Sequence, residues 1–303
     1  MTPYFLVDVF ARRRYEGNPL AVFDDRAGRF SDDEMQQIAR EINYQETTFI
    51  TGGSVGKGFR VRIFTPEYEV PFAGHPTLGT AWVLANRIAN TGTAPLTLQL
   101  GVGPVPVTWE GETAWLQAAQ PQFNSLSIDR TEIASLLNVP THEVKEDEPI
   151  RLVSTGLPYV IVPLRSLAAL RQARVNANAY EAWTMQHQLH KTNSADGLTV
   201  AFYVVSDEPY TPDGSFGSRM FCLENGKVVE DAATGSAASC LLAYLAYDWG
   251  PSEAHEVFEF DVEQGHEIGR PSLIHIAGRR DAEGQYDLRV GGQVQFVAQG
   301  EWV

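Results

Sequence analysis

The most constraining stretch of this 303-residue chain follows Gly235. It carries Ala237, Ala238, Cys240, Leu241, Leu242, Tyr244 and Leu245 and is apolar nearly all round. A helix without a polar face cannot lie on a surface, so this run predicts a buried central helix around which other elements must wrap. An earlier segment has the same small-residue start. Pro76 follows Gly74-His75 and opens a run with Leu78, Ala81, Trp82, Ala85 and Ile88 on one face, which puts proline at a first helical position of an amphipathic helix. Each of these helices follows a strand bearing Arg-x-Phe, at Arg62-Ile63-Phe64 and at Arg219-Met220-Phe221. Two halves built on one strand-loop-helix plan are therefore expected, with a cleft between them.

Short strands dominate elsewhere. Tyr4 to Val9 and Leu20 to Phe23 flank a Gly17-Asn18-Pro19 turn, and Thr47 to Thr51 is expected to pair with Phe59 to Phe64. Strand-like pieces run from Leu96 to Leu116, and the pattern returns at Arg151 to Val153, Tyr159 to Val162 and Thr199 to Val205. The last strands are expected near Leu273 to Ala277, Leu288 to Val290 and Val294 to Ala298. A Ser31-to-Glu34 capping box predicts a helix from Asp32 to Ile42, and Asp129 with Glu132 marks another through Leu137. Ser166 to Arg174 and Tyr180 to Leu189 read as helical, and Pro121 to Ser127 as a crossing segment. Many strands and few helices, in no regular alternation, argue for an α+β fold rather than a doubly wound parallel sheet. The expected domains are 1–121 and 122–287, with 288–303 a closing strand that can return to the first.

Charge narrows the partners. Against 23 basic residues stand 38 acidic ones, a formal charge of -15 with no block of like charges, so nothing in the chain matches the basic footprint of a nucleic-acid binder. Cys222 and Cys240 are the only cysteines, too few for a disulfide framework. No apolar run approaches the 18 or so residues of a membrane span, and the first apolar run precedes its charges, opposite to a secretory signal. The expectation is a soluble cytoplasmic protein that binds neither membrane nor nucleic acid.

Three places could carry chemistry. Glu230-Asp231-Ala232-Ala233-Thr234-Gly235-Ser236 sets two acids and a small-residue turn before the apolar helix. The amides of such a helix start are unpaired and partly positive, and can hold a carboxylate. The plainer alternative is an ordinary N-cap. The same weighing applies to Ala73-Gly74-His75-Pro76-Thr77, and two such starts favour a shared carboxylate pocket. Glu46, by itself, reads as a solvated residue at a strand edge. In an apolar cleft its pKa would rise from roughly 4.3 toward 6 or 7, the range of a general acid/base.

These strings carry a resemblance. Asn43 to Phe49 resembles the Asn-x-Ser-Glu-Thr-x-Phe motif of the phenazine-biosynthesis (PhzF-like) family, and Phe72 to Gly79 contains its Ala-Gly-His-Pro-Thr-Leu-Gly. Glu230 to Ala237 resembles Glu-Asp-Pro-Ala-Thr-Gly-Ser-Ala. Gln264-Gly265 with Gly269-Arg270-Pro271-Ser272 resembles Gln-Gly…Gly-Arg-Pro-Ser, and the early Gly-Asn-Pro turn also fits. The resemblance implies a diaminopimelate-epimerase-like fold, two similar domains each wrapping a sheet around a central helix, with the active site between them. It implies a cofactor-independent isomerase without metal, flavin or nucleotide, acting on a small carboxylate-bearing substrate, and commonly a homodimer. Glu46 would transfer the proton and His75 and Asp231 would contact substrate. Gly74, Gly235 and Ser236 would supply backbone or hydroxyl contacts to its carboxylate, and Thr234 would also bind substrate. Gln45 and Ala232 depart from the motifs, where serine and proline are usual.

Rival readings remain. An epimerase or racemase would use Glu46 and Asp231 on opposite faces of one carbon. A two-thiol epimerase is disfavoured because neither cysteine lies at a helix start. A non-catalytic binding protein on the same fold would not need Glu46, His75 and Asp231 together. His187 and His190 stand three apart without an evident third ligand, and Tyr180 to Lys191 reads as exposed, so zinc is not expected. His255, His266 and His275 share no spacing. Ser154 and Ser236 lack a nucleophile elbow, and no Gly-x-Gly-x-x-Gly follows a strand.

Overall fold

The computed structural model describes residues 1–124, 127–191, 199–224, 226–247 and 257–303. His255 and part of the expected crossing segment lie outside them. The chain divides into two compact units, 1–117 with 291–303, and 118–290.

In the first unit, β1 (Thr2–Val9) pairs antiparallel with β2 (Asn18–Asp24) and with the closing strand, Val294–Trp302. α1 (Asp32–Ile42) then leads to β3 (Thr47–Ser54), parallel to β2. The Ser31 hydroxyl accepts from the Glu34 amide while the Glu34 carboxylate accepts from the Ser31 amide, so both ends of the predicted capping box are made. Asn43 closes the helix in the left-handed region, at φ 54°. β4 (Gly58–Phe64) is antiparallel to β3 and to the short β5 (Glu69–Val70). Next comes α2 (Gly74–Val83), then β6 (Leu96–Leu100), parallel to β4, then β7 (Gly103–Glu110) and β8 (Thr113–Gln117). Under α1, Phe23 stacks on Phe49 at 5.1 Å, and Phe64 meets Phe49 edge-on.

The second unit runs through the same succession of pairings. After β9 (Gln122–Asn124) and α3 (Arg130–Leu137), β10 (Arg151–Ser154) is antiparallel to β11 (Pro158–Leu164). Two helices, α4 (Leu167–Gln172) and α5 (Ala177–Gln186), precede β12 (Ala201–Ser206), which is parallel to β11. β13 (Phe216–Glu224) is antiparallel to β12 and to β14 (Lys227–Asp231). α6 (Gly235–Ala246) follows, then β15 (Phe258–Gln264), parallel to β13 and antiparallel to β16 (Ser272–Arg280). Each unit is thus a mixed sheet with one helix almost wholly buried, and the fold is α+β. Even the Arg-x-Phe strands correspond. Arg62 on β4 pairs with Glu69 on β5 and lies over Phe64; Arg219 on β13 pairs with Glu230 on β14 and lies over Phe221.

Two sequence expectations are corrected. α2 begins at Gly74, so Pro76 occupies its third position. Proline costs nothing there, because no first-turn amide has an intrahelical partner. The segment from Tyr180 to Lys191 is not an exposed one. Tyr180, Trp183, Thr184 and Leu189 are buried, and the Tyr180 hydroxyl donates to the carbonyls of Val200 and Phe221.

Candidate active site

Glu46 lies between the left-handed end of α1 and the first residue of β3. The strand places it beside α2, because two residues on the Thr48 hydroxyl bonds the Thr80 hydroxyl at 2.8 Å in the core. Gly79 lets helix and sheet approach, since a Cβ there would come within 2.6 Å of Leu20 and 2.8 Å of Val9. The result is an acid facing a base. His75 Nε2 stands 3.5 Å from Glu46 Oε2, with the Glu46 side chain 19% exposed and that of His75 6%. Burial pushes the His75 imidazole down to about 3. The Glu46 carboxyl pulls the other way, but burial prevails, and the ring is uncharged at neutral pH.

In the second unit the loop before α6 is tied in a directed chain. The Gln264 side-chain amide donates to the Thr234 hydroxyl, at 3.0 Å, and to the Asp231 carbonyl, at 2.9 Å. The Thr234 hydroxyl in turn donates to Asp231 Oδ2 at 2.5 Å, and Gln264 Oε1 accepts from the Thr234 amide at 3.2 Å. Gly265 must be glycine, because at φ 77° any side chain would strike the carbonyls of Arg270 and Ala232. Ser272 completes the support by donating to the Ala232 carbonyl at 2.9 Å. Arg219 grips the Glu230 carboxylate with two nitrogens, at 2.9 and 2.7 Å, and both side chains are nearly buried.

The two buried helices start differently from the others. α1, α3, α4 and α5 are each capped by a side chain, from Ser31, Asp129, Ser166 and Asn176. Neither Ala73, at the start of α2, nor Thr234, at the start of α6, caps with its side chain, since alanine has none to offer and the Thr234 hydroxyl is spent on Asp231. Neither start carries a side-chain cap, which leaves its first-turn amides and their partial positive charge uncompensated by the capping residue. Gly74 and Gly235 are the first residues of these helices.

Sequence reasoning singled out Gln264 only as part of a motif and missed the partner of Ser236 altogether. The Ser236 hydroxyl lies 2.7 Å from that of Tyr159 on β11, 77 positions earlier, a separation that no local pattern spans. Cys240 is buried in α6 and its thiol is pushed up to about 12 by burial, which makes it a poor nucleophile and base. His187 at the end of α5 lies 3.1 Å from Glu132 on α3, and His190 lies 3.9 Å from Glu181 on α5 itself. No helix among the described residues is long and apolar enough to cross a membrane.

Comparison with known proteins adds the chemistry of relatives. The family model described as phenazine biosynthesis-like protein matches residues 7–300. The trans-2,3-dihydro-3-hydroxyanthranilate isomerase of Pseudomonas chlororaphis is 35% identical over 302 residues, covering 96% of each chain. An uncharacterised isomerase of Mesorhizobium japonicum is 33% identical over 305 residues, 98% of this chain and 97% of its own. Among solved structures, a PhzF-family phenazine biosynthesis protein of Bacillus anthracis matches with a TM-score of 0.87 at 25% identity, covering 100% of this chain and 99% of that one.

Proposed function

The chain belongs to the phenazine biosynthesis-like (PhzF) family, and from that premise we propose that it is an isomerase that moves a proton on a small carboxylate-bearing substrate, using its own side chains without a cofactor. The observation that carries the reading is the buried oxygen of Glu46 facing the neutral imidazole of His75 at 3.5 Å. A carboxylate so placed can take a proton from a substrate carbon and return it to another carbon as the double bond shifts. The C–H bond broken is thereby balanced by the one formed. Positioned proton transfer of this kind contributes roughly 10² to 10⁴ in rate.

In this reading His75 contacts the substrate as a neutral ring. Asp231, its carboxylate oriented by Thr234, takes an amine or hydroxyl of the substrate. The Gly74 and Gly235 amides and the hydroxyl of Ser236 supply donors for its carboxylate, aided by the uncapped helix starts. A dihydro-hydroxyanthranilate is the first candidate substrate, since the Pseudomonas chlororaphis relative is named for isomerising one. Epimerisation through Glu46 and Asp231 is the competing reaction. The Thr234 hydroxyl already bound to Asp231 favours an orienting role for that acid over proton carriage. By the family resemblance we further propose a cytoplasmic homodimer.

Proton NMR in deuterated water tests the reading, with wild type and Glu46→Gln offered small cyclic and amino carboxylates that include a dihydro-hydroxyanthranilate. Deuterium uptake lost in a folded variant supports it, at a new carbon for isomerisation and with inversion at the same carbon for epimerisation. Equal uptake by both proteins sinks it.

A further inference from the structure

We infer that Tyr159 is a positioning residue that sets the hydroxyl of Ser236 as a one-directional donor to the substrate carboxylate. The inference deepens the proposed function and rests on its assignment of Ser236 to carboxylate binding.

The argument begins with exposure. From Asp231 to Tyr244 every residue is buried except Ser236, so the start of α6 opens to solvent at one side chain. Ser236 is the second residue of that helix, beside amides that no side chain caps. Its hydroxyl can donate one proton and accept others, and which it does decides whether it attracts or repels an anion. Tyr159 settles the direction. The phenol is buried, and burial raises its pKa well above the ordinary value, so it keeps its proton. Among the described residues its hydroxyl has one hydrogen-bond partner, Ser236 Oγ at 2.7 Å.

Two arrangements are then possible. If Ser236 donated to Tyr159, the phenol O–H would be buried without an acceptor, which is costly. If Tyr159 donates to Ser236, every group is satisfied and the serine proton is left for whatever enters. The second arrangement is the stable one, and it gives Ser236 to a carboxylate as a pure donor. Neighbouring hydroxyls hold the backbone of that turn still. Ser239 Oγ donates to the Ser236 carbonyl at 2.8 Å, and Thr155 Oγ1 lies 2.7 Å from Ser239 Oγ, which joins the start of α6 to the turn between β10 and β11.

The experiment measures binding by calorimetry, with 3-hydroxyanthranilate as a probe that needs no turnover. Ser236→Ala should weaken binding roughly tenfold, as expected for losing a hydrogen bond to a charged group. Tyr159→Phe keeps the ring and should weaken binding roughly three- to tenfold through loss of direction alone. The double variant should be no weaker than Ser236→Ala, because Tyr159 acts only through that hydroxyl. Tyr203→Phe is the control. It removes an equally buried phenol in the same unit, bonded to Ser218 at 3.0 Å, and should leave affinity unchanged. The inference is overturned if Tyr159→Phe binds like wild type, if the two losses multiply, if Tyr203→Phe loses as much, or if wild type does not bind the probe. The Glu46→Gln exchange experiment fails or succeeds independently, so loss of the catalytic reading and loss of this one are told apart.

Discussion

Acidifying the protein from pH 7 to pH 5 should cost it about 2 kcal/mol of stability through one side chain, His75. Its imidazole titrates at 6.5 when unperturbed and at about 3 in the fold, because burial penalises the charged ring. Between those values the unfolded chain binds a proton that the native protein refuses. Stability from this group is therefore complete above 6.5 and declines as pH falls through the window down to about 3. At pH 5 the solution is about 1.5 pH units into that window, and each unit is worth about 1.36 kcal/mol. The Glu46 carboxyl 3.5 Å away favours the charged ring, which makes the figure an upper value. The assay is urea unfolding of wild type and His75→Gln, followed by tryptophan fluorescence and circular dichroism at both pH values. Groups away from the site titrate alike in the two proteins, so the difference of differences isolates His75 together with its contact to Glu46. Wild type should lose up to about 2 kcal/mol more than the variant. Parallel losses would refute the reasoning, since they would mean that the ring is charged or exposed in the fold.

Further outcomes follow from packing and burial. A thiol reagent at pH 8 should spare Cys240 in the native protein and reach it only after unfolding, because burial holds its thiol near 12; rapid native labelling at both cysteines would contradict this. Arg219→Met should destabilise by about 3 to 5 kcal/mol by stranding the buried Glu230 carboxylate. Arg62→Met, at the corresponding but more open site, should cost far less, and urea unfolding of the two variants compares the losses. Gly79→Ala should lose about 1 to 3 kcal/mol, as its new methyl overpacks Leu20 and Val9, and an unchanged melting temperature would show that α2 can move away.

Much of this was legible wherever the cause was local. The bounds of α1 follow from Ser31 and Glu34 at one end and Asn43 at the other, and the burial of α6 from its lack of a polar face. Legibility failed where the cause was distant. Trp183 and Leu189 are buried because α5 meets strands from elsewhere in its unit, and no periodicity within Tyr180 to Lys191 records that contact. The site divides the same way. Glu46 has nothing in its neighbours to mark it, and only the family motif pointed to it; the approach of His75 depends on a helix 29 positions later and on the Thr48–Thr80 contact. The Tyr159–Ser236 pair has no sequence signature at all.

The closing strand lies beside β1, so the first unit is discontinuous in the chain and the second is not. During synthesis, residues 1–117 emerge well before the strand from 294 to 302 that covers one edge of β1. The continuous second unit can complete itself earlier, which inverts the usual order in which the amino-terminal part folds first. Until then the bare edge of β1, Thr2–Val9, is an open template for another chain.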